Sequence, residues 1–142
     1  MNARRRTIAV LGVLGGLGAA GAWAALMPVS SATNERVYVI PKGTFARRMA
    51  GEKLAILPDE LRLVLGVKDV LVLENRDDVP QTFGPVLIMP GQTFRMPFHR
   101  AASYQFACSL HVSGQLTIVV EEMPARGWER LRWRAREAGL VG

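Results

Sequence analysis

Residues 104–120 run Tyr104-Gln105-Phe106-Ala107-Cys108-Ser109-Leu110-His111-Val112-Ser113-Gly114-Gln115-Leu116-Thr117-Ile118-Val119-Val120. Tyr104, Phe106 and Cys108 alternate, so in a strand they share one face, with the thiol turned inward at the strand end and aromatic packing behind it. His111 follows three residues later, in a tight loop containing Gly114, where an imidazole and a thiolate can reach one ion. Residues 116–120 then form an apolar closing strand. A soft thiolate with imidazole and a weak further ligand selects copper, and because an axial Gln can replace an axial Met, Gln115 is a candidate axial ligand.

Working outward, the same period-two pattern recurs in short runs broken by Pro and Gly. Val37-Tyr38-Val39-Ile40 stops at Pro41-Lys42-Gly43; Leu61-Arg62-Leu63-Val64-Leu65 stops at Gly66; Val70-Leu71-Val72-Leu73 stops at Asn75-Arg76-Asp77-Asp78. Thr93-Phe94-Arg95-Met96-Pro97-Phe98 follows Pro90-Gly91. Six or seven short strands with turn signals every 8–12 residues or so predict an antiparallel sandwich or barrel. Between the first two runs, residues 44–51 make a helical turn or a loose edge strand. A turn near Ala101-Ala102 predicts a hairpin that sets Cys108 opposite residues near Arg95, leaving His99, the only other histidine, far down the ladder on the surface.

Both ends of the chain differ from this body. Arg4, Arg5 and Arg6 precede residues 7–27, which carry no charge. Twenty-one helical residues span about 30 Å, enough for a bilayer, and the arginines hold the N-terminus on the cytoplasmic side. Residues 1–32 are therefore a signal peptide, with Ser30 and Ala32 at cleavage-site positions, or a retained anchor helix. Arg5-Arg6 ahead of this stretch also resembles a twin-arginine export signal. After Pro124, residues 125–142 predict a basic amphipathic helix with Trp128, Leu131, Ala135 and Ala138 on one face and Arg130, Arg134 and Arg136 mostly away from it. That helix packs on the body or a partner chain, or lies on anionic lipid.

Charge is concentrated at the ends. The formal net charge is +6, of which residues 1–32 supply +3 and residues 126–142 another +3, from five Arg and two Glu. The remaining segment balances ten basic against ten acidic residues, so the body has no footprint for nucleic acid. An apolar fraction of 49% against 21% charged describes a folded body with an apolar appendage rather than a disordered chain. The single cysteine excludes an internal disulfide; in an exported protein such a thiol is buried, joined to another chain, or bound to metal.

A second informative stretch is Leu73-Glu74-Asn75-Arg76-Asp77-Asp78-Val79-Pro80-Gln81-Thr82-Phe83-Gly84. With residues 104–120 it resembles the cupredoxin family of small blue-copper proteins. There, a strand ending in Asn is followed six residues later by the first His ligand, and an aromatic-rich strand enters a Cys-x2-His loop followed by Met or Gln. The resemblance covers residues 36–122 and implies an all-β, cupredoxin-like Greek-key sandwich or barrel over residues 33–124. It also implies one type 1-like copper ion held by Cys108, His111, Gln81 and Gln115. Gln81 stands at the first His position, so a two-His, one-Cys set cannot form. The outcomes are an amide-ligated site of altered potential, a weak site, or no site.

No His-Glu-x2-His, Gly-x-Ser-x-Gly or phosphate-cradling Gly loop occurs, and adjacent Asp77 and Asp78 make a turn rather than an acid–base pair. The expectation is therefore a non-enzymatic protein of the periplasm or outer face of the cytoplasmic membrane, tethered through residues 7–27. It binds one copper ion and transfers single electrons to a redox protein or a respiratory or photosynthetic membrane complex, with no nucleic acid and no small-molecule substrate. The alternative is a copper-free accessory or structural subunit of a membrane complex.

Overall fold

The computed structural model describes residues 18–139 except residue 112. They divide into two units: Ser30–Met123, and the residues up to Val29 together with those from Pro124 onward.

The larger unit is mostly β. Its strands are β1 (Glu35–Ile40), β2 (Glu60–Val64), β3 (Val70–Asn75), β4 (Gln81–Phe83), β5 (Val86–Ile88), β6 (Thr93–Pro97), β7 (Ala102–Ala107) and β8 (Gln115–Glu121), with one short helix, α1 (Thr44–Met49). One three-stranded sheet has the order β1-β3-β6 and another β2-β8-β7, while β4 and β5 form a small hairpin. Alternation drives the packing: Leu61 and Leu63 of β2, Leu71 and Leu73 of β3, and Leu116, Ile118 and Val120 of β8 are all buried in one core with Ile40, Phe83 and Leu110. Both sheets contribute to that core, an arrangement consistent with a β-sandwich.

Two expectations are corrected. The sheets are mixed rather than antiparallel, since β1 runs parallel to β3 and β2 parallel to β8. In both cases the chain crosses to the other sheet between the two strands, so no tight hairpin imposes antiparallel pairing on them. In addition, β6 and β7 do not form a hairpin: β6 pairs with β3 and β7 with β8. The segment between them carries the chain from one sheet to the other, and His99 on it is exposed. Cys108 therefore has no partner near Arg95; its bridge is to Phe83.

In the smaller unit, residues 18–26 are helical and a second helix, α2, covers Trp128–Glu137. Among the described residues no helix is long and apolar enough to cross a membrane. The part of the expected 7–27 span before residue 18 lies outside the described residues. One expected facing in α2 is corrected: Arg130 is its buried residue, whereas Leu131 and Ala135 are half-buried, Arg136 is exposed and Trp128 is 68% exposed. The guanidinium of Arg130 donates to the carbonyls of Met27 (3.0 Å), Pro124 (3.2 Å) and Leu26 (3.4 Å). Arg134 donates to Met27 (2.9 Å) and Pro28 (3.1 Å). Helix ends leave carbonyls without intrahelical partners, and a planar multi-donor cation satisfies several at once, which draws the arginine face inward.

Candidate metal centre

The site begins with β7. Tyr104 and Phe106 are half-buried and Cys108, just past the strand, is 2% exposed. Behind the thiol the rings form a row: Phe106 stacks on Phe83 at 5.0 Å and on Tyr104 at 6.5 Å. The turn that follows is tied by the Cys108 N–H donating to the Gly114 carbonyl (2.9 Å) and the Gly114 N–H donating to the His111 carbonyl (3.0 Å). Gly114 has φ +74°, which a residue with a Cβ adopts only at a cost.

The backbone of Leu110 and His111 and the nearby Arg48 guanidinium favour the Cys108 anion, while the His111 N–H donates to the Cys108 carbonyl (3.3 Å). Burial outweighs these influences and pushes the thiol pKa up, so at neutral pH the metal-free group is a thiol. The Arg48 guanidinium also donates to the Ser109 carbonyl, which seats α1 beside the loop.

Strand β4 docks on the same loop. Gly84 N–H donates to the Ala107 carbonyl (2.7 Å), Ser109 N–H to the Thr82 carbonyl (3.0 Å), and Thr82 N–H to Ser109 Oγ (2.9 Å). This docking turns Gln81 inward, where it is 4% exposed. Its Oε1 accepts from Ser109 Oγ (2.9 Å) and its Nε2 donates to Asp77 Oδ2 (3.3 Å). Asp77, itself buried, accepts the N–H groups of Gly43 and Phe45 at 2.8 Å each and so also fixes α1. Asn75 holds the bend: its Oδ1 accepts the Asp77 N–H (3.0 Å) and its Nδ2 donates to the Val79 and Ile88 carbonyls (2.9 Å each). Asp77, read from sequence as a turn residue, is thus the hub of the network; four residues separating it from Gln81 within one turn was the signal available.

The His111 side chain is 11% exposed. Its Nε2 lies 3.0 Å from Asp59 Oδ1 and its Nδ1 2.8 Å from Ser113 Oγ. A carboxylate only accepts, so in the neutral ring Nε2 carries the proton and Nδ1 keeps the lone pair. Ser113 Oγ also lies 3.1 Å from the Gln115 carbonyl, an alternative acceptor for its single proton. Sequence reading missed Asp59, which lies 52 residues away in the chain.

Of the four residues proposed from sequence, Gln81 is bonded to Ser109, the chain neighbour of Cys108, and His111 lies in the same loop, while the Cys108 side chain packs in the hydrophobic core. Gln115 is not brought in: it is exposed and opposite Ala107, on the sheet face away from Leu116 and the core. Among the described residues no three His, Cys, Asp or Glu side chains group to hold a metal ion. A thiol, an imidazole and an amide are donor types that copper accepts, but Cys108 is packed in the hydrophobic core, both ends of the Gln81 amide are bonded to Ser109 and Asp77, and Gln115 faces out.

Among solved structures, the chain is similar to a purple cupredoxin from Nitrosopumilus maritimus at 20% identity, over 61% of this chain and 100% of that one, with a TM-score of 0.42. Two amicyanin variants, one oxidised and one Cu(I), are each 19% identical over 64% of this chain and 86% of theirs, also with a TM-score of 0.42. No protein-family model matches the chain, and no curated protein matches it.

Proposed function

We propose that this chain is a membrane-tethered, exported electron carrier with a Greek-key, cupredoxin-like domain over residues 33–124 that holds one copper ion. Residues 1–32 would anchor it, with the N-terminus cytoplasmic and the domain in the periplasm or on the outer face of the membrane. Its electron partner would be a redox protein or a respiratory or photosynthetic membrane complex. The observation that carries the reading is the Cys108–His111 loop, closed by the Cys108 N–H on the Gly114 carbonyl and the Gly114 N–H on the His111 carbonyl, in which Asp59 leaves Nδ1 as the lone-pair nitrogen. Cys108 Sγ and His111 Nδ1 would be the strong donors and Gln81 Oε1 the third. Copper, when bound, supplies a one-electron couple; a harder amide in place of a second imidazole favours the oxidised ion and lowers the potential.

Full-length protein loaded with Cu(II) should develop a thiolate charge-transfer band in the visible range, and Gln81→His should intensify it. Protein that stays colourless and copper-free after loading overturns the reading.

A second reading, a copper-free accessory subunit of a membrane complex, draws on a different observation. Both ends of the Gln81 amide are already bonded, to Ser109 and Asp77, so the rim is closed by protein groups alone. On this view Cys108→Ser leaves function intact, whereas deleting residues 126–142 releases the protein from its complex.

A further inference from the structure

The smaller unit carries a concentration of features that an electron-transfer domain does not require. Trp23 is 59%, Leu26 60%, Met27 42% and Trp128 68% exposed. These side chains belong to one neighbourhood. The Gly127 N–H, next to Trp128, donates to the Ala25 carbonyl at 2.9 Å, and Arg134 lies over the Trp23 ring at 5.6 Å. Arg130 and Arg134 are spent on the carbonyls of residues 26–28 and Pro124, whereas Arg126, Arg132 and Arg136 are exposed. Among the described residues, no arginine of this unit forms an ion pair with a carboxylate. The patch therefore combines two exposed indoles, two exposed apolar side chains and a net positive charge, five arginines against Glu129 and Glu137.

Tryptophan prefers the level of lipid headgroups, where its ring is half apolar and its N–H is wet, and exposed arginines beside it meet phosphate. The residues that precede the patch, 7–17, are uncharged in sequence and lead directly into it. We infer that the clamped pair of residues 18–28 and α2 is a lipid-surface contact. Trp23 and Trp128 enter the headgroup region of a bilayer containing anionic phospholipid, and Arg126, Arg132 and Arg136 face its phosphates. This inference rests on the membrane-tether reading above and adds that the apolar segment stays in the mature protein. Removing residues 1–32 would take away the Leu26, Met27 and Pro28 carbonyls that Arg130 and Arg134 hold, and with them the clamp that fixes α2.

The chain's three tryptophans, Trp23, Trp128 and Trp133, all lie in this unit, so their emission reports on it alone. The test uses full-length protein carrying Trp23→Phe and Trp133→Phe, reconstituted in phosphatidylcholine–phosphatidylglycerol vesicles, some with lipid brominated near the headgroup. Trp128 emission should shift to the blue relative to the unfolded chain and be quenched several-fold more by the brominated lipid than by aqueous iodide. Arg132→Gln with Arg136→Gln, at exposed positions outside the carbonyl clamp, should abolish the difference between these vesicles and pure phosphatidylcholine while far-ultraviolet circular dichroism stays unchanged. Trp128 emission that ignores the brominated lipid, in protein whose intact mass includes residues 1–28, overturns the contact and leaves the tether standing. So does shielding of Trp128 in native membranes but not in vesicles, which assigns the patch to a protein partner. A mature N-terminus near residue 33 overturns contact and tether together.

Discussion

Cys108 sits where two influences compete, burial against the loop backbone and a nearby guanidinium, and burial prevails. A thiol whose folded pKa lies above its unfolded value stabilises the fold at low pH, and that contribution is lost as pH rises through the folded value. The protein should therefore lose stability above about pH 8.5 relative to Cys108→Ser, read as urea midpoints from neutral to alkaline pH. The same burial should make native Cys108 alkylate far more slowly at neutral pH than Cys108 in the urea-unfolded chain. Gln81 marks the limit of reading residues from sequence. Its position six residues after Asn75 was visible in the chain, but its two bonds, to Ser109 and Asp77, depend on where β4 docks. Asp77 is the more exacting residue. Asp77→Ala leaves the Gly43 and Phe45 N–H groups and the Gln81 amide without their acceptor, and should lower stability by about 1–3 kcal/mol in urea unfolding.

At the scale of elements, the strands with sustained alternation were legible and the shortest ones were not. β4 and β5 have three residues each, too few to establish a period. They nonetheless aim Gln81, and the close approach of β4 to β7 requires Gly84. Gly84 has φ +55°, and a Cβ there would lie 3.1 Å from Phe106 Cδ1. Gly84→Ala should cost about 1–3 kcal/mol and, through Phe106, loosen the ring row behind Cys108, read as changed near-ultraviolet circular dichroism. α2 shows the opposite failure. Its periodicity correctly predicted a helix, but the expected outward facing of Arg130 was wrong. The carbonyls of Leu26, Met27 and Pro28 outweigh the burial of Trp128, because orphaned carbonyls need donors whereas an exposed indole does not. Arg130→Ala should free α2 from residues 23–28, detectable as faster amide exchange over Trp128–Glu137.

For the molecule as a whole, the core lies between two sheets whose members are distant in sequence, so single core truncations should be severe. Ile118→Ala in central strand β8, at 0% exposure, should cost about 2–5 kcal/mol. The sequence by itself determined the β character of the body, the place of Cys108 at the end of an aromatic strand, and the separation of charge into the two ends. These follow from composition and period-two alternation, which are local properties of the chain. Tertiary structure alone decided that β6 and β7 belong to different sheets, that two strand pairs run parallel, that Gln115 faces out, and that Asp77, Gln81, Ser109 and Asp59 surround the loop. Strand partners and hydrogen-bond acceptors are chosen by packing between segments tens of residues apart, and alternation along one strand carries no record of which neighbour it will meet.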